Sequence, residues 1–157
     1  MTSLQVSAID PSRLDAIRHT GHDEAGNPLA PLAAQGWEPL RCCLALAAAG
    51  DPILLISYSP FTGRSPWAET GPVFVHGERC QGYRASGELP DALRTGPRVL
   101  RTYHADESLD YADITVVDEG EDIEAHLLDL LALPAVDTVH VRALVSQCFT
   151  YAVTVPS

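Results

Sequence analysis

At 157 residues, 46% of them hydrophobic, the chain suits one domain whose core needs no disulfide staples. A formal net charge of −11 sets up a field that repels phosphate backbones and anionic headgroups, which excludes nucleic acid and membrane surfaces as expected partners. All ten basic residues are arginine, so lysine chemistry is impossible: no Schiff base, no pyridoxal anchor and no P-loop, and no cofactor is assigned.

The start, MTSLQVSAIDPSR, lacks the basic n-region and apolar h-region of a signal peptide, and no run reaches the roughly 18 apolar residues of a membrane span. A cytoplasmic location is expected. Four cysteines in such a compartment stay reduced, and Cys42-Cys43 joined to itself would form only a strained ring. There is no CxxC and no Cys/His set with finger spacing, so no structural zinc module is expected.

Residues 4–9 alternate as a short strand. Asp10-Pro11 then supplies an N-cap and a proline at the first helical position, predicting about two helical turns through Leu14 and Ile17. Residues 20–36 carry one histidine, two prolines and three glycines without periodicity and read as a loop. His22-Asp23-Glu24 within it offers adjacent cation ligands, but on a soft loop. Residues 41–47 and 53–58 flank the turn signal Gly50-Asp51-Pro52 and read as a β-hairpin. On that reading Cys42 faces the core and Cys43 faces away, beside Arg41.

Residues 53–56 are four branched aliphatics in a row, the pattern of a strand buried on both faces. The loop Ser59-Pro60-Phe61-Thr62-Gly63-Arg64-Ser65-Pro66 breaks all periodicity, with Trp67 just beyond it as a lid over the core or a ligand platform. Residues 73–76 resume as a strand, after which His76 and Cys80 flank a tight turn. Residues 87–95 read as one or two helical turns, and 99–103 and 114–117 as strands. Residues 119–133 form the clearest helix, with acidic residues in the first turn, an apolar stripe of Ile123, Leu127, Leu130 and Leu131, and Pro134 as the stop. Residues 136–142 and 148–155 are the last two strands. Val139 and Val141 oppose His140 and Arg142 on one, and Phe149, Tyr151 and Val153 share the apolar face of the other. The sum is an α+β domain on a mostly antiparallel, curved sheet of seven or eight strands, with one main helix and one or two short ones.

The stretches PLRCCL (39–44), ISYSPFTGRSPWAETGPVFVHGERC (56–80), PRVLRTYHAD (97–106) and VHVRALVSQCF (139–149) resemble the bacterial DUF1203 family. SPWAETGPVFVH is the most specific of them, and Arg79 stands where the family commonly carries proline. The resemblance covers the chain from about Gly36 onward and implies a bacterial single-domain protein of a family without an assigned activity.

Three functional readings remain open. In the first, a small-molecule-binding protein or enzyme gathers His76, Cys80, Arg41, Tyr58, His140, Arg142 and Cys148 in one pocket with Trp67 at its mouth. Cys80 is then a nucleophile or redox thiol, His76 or His140 the base, and Arg142 the clamp for a small anionic ligand. In the second, His76, Cys80, His140 and Cys148 bind a soft or borderline metal. The third is an interaction module using the acidic surface and a sheet edge. The first two require that residues 53–83 meet the C-terminal hairpin.

Overall fold

The computed structural model describes residues 3–157. Eight strands form two antiparallel sheets with two helices. In chain order they are β1 (Gln5–Ser7), α1 (Pro11–Thr20), β2 (Leu32–Ala33), β3 (Pro52–Tyr58), β4 (Gly71–His76), β5 (Arg98–Tyr103), β6 (Thr115–Val117), α2 (Glu124–Leu131), β7 (Thr138–Ala143) and β8 (Phe149–Thr154), with a 3₁₀ turn at Asp91–Leu93. The α+β class and the antiparallel pairing hold. The single sheet does not: the order is β1-β8-β7-β5-β6 in one sheet and β2-β3-β4 in the other. Nor is there one main helix, since α1 has 10 residues and α2 has 8.

Local chemistry explains α1. The Asp10 side chain accepts the Ser12 backbone N–H at 2.9 Å, Pro11 has no N–H that would need an acceptor, and Gly21 closes the C-terminus at φ 78°. The helix α2 is shorter than its acidic lead-in predicted. Residues 119–123 spend their backbone groups sideways on residues 94–96: Gly96 N–H reaches Glu121 O (2.9 Å), Gly120 N–H reaches Gly96 O (3.1 Å), and Ile123 N–H reaches Arg94 O (3.0 Å). Those bonds compete with a helical turn, and Asp122 instead accepts the Glu124 N–H at 2.8 Å.

The expected hairpin of residues 41–47 with 53–58 does not form. Residues 41–43 are a turn, closed by Leu44 N–H to Leu40 O and Leu40 N–H to Ala45 O (both 2.8 Å), with Leu44 at φ 60°. The edge of β3 that it would have filled pairs with β2, which the sequence hid inside a loop (Leu32 opposite Ile53). β3 is central as expected, though Leu55 is exposed.

Two cores result. Val139, Val141, Tyr151 and Val153 pack with Leu127, Leu130 and Leu131 of α2. Ile53, Ile56, Val73 and Val75 of the small sheet pack with Leu14 and Ile17 of α1 and with Phe149. Phe149 is the surprise, since alternation placed it with Tyr151. A bulge between Val141 and Arg142 pairs Val141 with Tyr151 but Arg142 with Phe149, skipping Thr150. The extra residue turns Phe149 onto the His140 face, where the two rings lie 5.0 Å apart. Phe149 thereby joins the two sheets.

Candidate functional site: a thiol–imidazole cluster

The 40–46 turn matters because it sets Cys42 and Cys43 on the same side instead of on opposite faces of a strand. It is docked to β4 through Arg41 N–H to Phe74 O at 2.8 Å, which carries both sulfurs to the end of that strand. There His76 meets them: Nδ1 lies 3.4 Å from Cys42 Sγ and 3.8 Å from Cys43 Sγ, and the His76 backbone N–H points at Cys42 Sγ at 3.2 Å. Arg18 Nη2 donates to His76 O at 2.8 Å and fixes the strand end from α1. After Gly77 the chain doubles back and adds Cys80. One donor atom from each of Cys42, Cys43, His76 and Cys80 lies within 4.8 Å of all the others. Cys42 is buried and the other three are half-buried, and no thiol is in a disulfide.

The electrostatics favour one thiolate. Cys43 is pulled down, first by the hydrogen bond from the Cys42 thiol and, against its own burial, further by the Ala45 backbone N–H, His76 and Cys80. Cys42 is pushed up by donating that bond and by its burial. Thiolate, not thiol, is the nucleophile and the metal ligand.

The other expected residues divide. Tyr58, Arg142 and Cys148 border a separate cavity of about 150 Å³, where the start of β4 meets the β7–β8 turn. The 53–83 stretch and the C-terminal hairpin do therefore meet. However, Gly71 at this cavity and His76 at the thiol cluster are opposite ends of β4, about 17 Å apart at the usual strand rise. One shared pocket is thus two places. Arg41 is 4% exposed and donates to Phe149 O (2.7 Å) and Pro39 O (2.6 Å). Burial presses it down to about 10, so it stays charged at neutral pH.

His140 is 2% exposed and lies against the rings of Phe61, Tyr103 and Phe149 at 4.5–5.0 Å. Burial, then Arg142 and Arg101, push it down to about 3. It is a neutral ring among aromatics, and neither it nor Cys148 belongs to the group that gathers at His76. Trp67 donates its Nε1–H to Tyr111 Oη at 3.0 Å and borders neither site. In the 22–24 stretch Asp23 accepts four N–H groups and Glu24 pairs with Arg13, so these oxygens are already engaged. Cys42 and Cys43 were the residues that sequence reasoning missed as ligands. Their adjacency was visible, but a strand reading separates neighbours by face, and only a turn unites them.

The fold and site define an α+β protein of two packed antiparallel sheets with a Cys₃His cluster at the end of one strand. Residues 37–154 match the family model "Protein of unknown function (DUF1203)". The chain belongs to that family. No curated protein and no solved structure matches the chain. Among the described residues no helix is long and apolar enough to cross a membrane.

Proposed function

We propose that this is a metal-binding protein whose Cys42, Cys43, His76 and Cys80 hold one soft or borderline ion, zinc foremost. The observation that supports the reading is the spacing of the donors. Zinc bonds of about 2.3 Å to sulfur and 2.0–2.1 Å to nitrogen, arranged tetrahedrally, separate S from N by roughly 3.6 Å. The Nδ1–Sγ distances of 3.4 and 3.8 Å bracket that edge. Three sulfurs and one imidazole are also a donor set typical of structural zinc. Four protein donors leave no open coordination position, so the ion's work is structural: it ties the chain after β4 to the 40–44 turn.

Elemental analysis of protein purified without chelator should give one zinc per chain. Cys80→Ser and His76→Ala should each lose it, and chelation should lower the Tm of the wild type but not of either variant. Protein that neither carries zinc nor takes it up on incubation, or variants that retain it, would refute the reading.

A further inference from the structure

The cavity at the other end of β4 has its own chemistry. Its wall is Arg142, Ser146 and Cys148 on the β7–β8 side and Tyr58, Glu69 and Thr70 on the other. We infer that it is a binding site for a small oxyanion, a carboxylate or a phosphate, held by Arg142.

Arg142 is only 6% exposed, yet it is poorly partnered for a buried guanidinium. Nη1 donates to Gln147 O at 2.9 Å, while Nε is fully enclosed and has no hydrogen-bond partner. A buried guanidinium fork with spare donors is the side chain best shaped to take a planar or tetrahedral oxyanion. Burial, and then Arg101, already work against its charge, and an incoming anion relieves both.

The local charge agrees. Arg101 and Arg142 both approach Glu69: Arg101 is bidentate on it at 2.8 and 2.9 Å, and Arg142 Nη1 stands 3.8 Å away. Behind the cavity Arg41 is bonded to Phe149 O. Two guanidinium groups thus face one carboxylate, in a protein whose overall charge is −11. The general field repels anions, so capture of one requires a local positive charge held in a concave site, which Arg142 supplies. Neutral donors complete the wall. The Tyr58 hydroxyl accepts from Arg13 Nη1 at 3.1 Å, which leaves its own proton free to donate. Ser146 and Thr70 contribute hydroxyls. A volume of about 150 Å³, on the order of five water volumes, admits a ligand of a few heavy atoms and excludes a nucleotide.

Glu69 is the built-in competitor. Its side chain is half exposed and its main bond is to Arg101, so replacing it by an amide removes repulsion without removing Arg142. The test is calorimetric titration at constant ionic strength with two probes, inorganic phosphate and succinate. At least one should bind the wild type at one site per chain. Glu69→Gln should tighten it roughly tenfold, the scale of one screened charge a few ångströms away, and Arg142→Gln should abolish it. Phosphate binding alone assigns a phosphate site, and succinate binding alone a carboxylate site. The heat of oxyanion binding is read whether or not the chain carries metal, which keeps this inference separate from the metal reading. No binding of either probe, binding that survives Arg142→Gln, or weaker binding in Glu69→Gln overturns it.

Discussion

Replacing His140 by leucine should flatten the stability of this protein between pH 7.5 and 5. In the native chain the ring lies among Phe61, Tyr103 and Phe149, Nδ1 has no partner, and the charged groups that bear on it are Arg142 and Arg101. Burial first, then those two cations, lower it from 6.5 to about 3. Below 6.5 the unfolded chain takes up a proton that the native ring refuses, so stability is complete above 6.5 and falls as the pH drops toward the native value. At pH 5 the loss from this group is RT ln(1 + 10^1.5), about 2 kcal/mol. Urea denaturation at pH 7.5 and 5.0 measures it: the drop should be about 2 kcal/mol larger in the wild type than in His140→Leu, whatever their absolute stabilities. Equal drops in the two proteins would mean that His140 is protonated in the native state, which would refute the enclosed, neutral ring.

Three other substitutions test the frame around the sites. Asp23 is buried, a circumstance that alone would raise its carboxyl, but N–H donors from Ser57, Asn27 and Ala25 outweigh it and hold the group below 3.8. Asp23→Ala should cost about 2–3 kcal/mol at pH 7 in denaturant titration, and the wild type should lose that advantage as pH falls below 3.8. Gly96→Ala should cost at least about 3 kcal/mol, because its Cβ would lie 2.0 Å from Asp118 O and 2.6 Å from Val117 O; a Tm within a few degrees of wild type would contradict this packing of the 94–96 strip. Glu107 is exposed at φ 68°, so Glu107→Gly should stabilise by roughly 0.5–1 kcal/mol in the same assay.

The local rules worked where a feature depends on its own neighbours. Asp10-Pro11 predicted the start of α1, and period-two alternation placed Val139 and Val141 opposite His140 and Arg142, as the two cores confirm. They failed where two distant segments compete for the same backbone groups. Residues 119–122 have every local reason to be helical, yet they bond to 94–96. Residues 41–47 alternate like a strand, yet the edge they would fill is taken by Leu32–Ala33, which has no strand signal at all.

The sequence alone therefore determined the inventory: an acidic α+β chain with no lysine, a strand–loop–strand centre, and His76 and Cys80 within reach of one another across a turn. The tertiary structure decided the partition. It brought Cys42 and Cys43 to His76 by docking their turn on β4, turned Phe149 through a bulge, and left Arg142, Tyr58 and Cys148 around a second cavity at the far end of the same strand. Side-chain period is a property of a few consecutive residues. Which segment wins a given sheet edge is set by the pairing energies of all the segments together, and a single stretch of sequence does not contain that comparison.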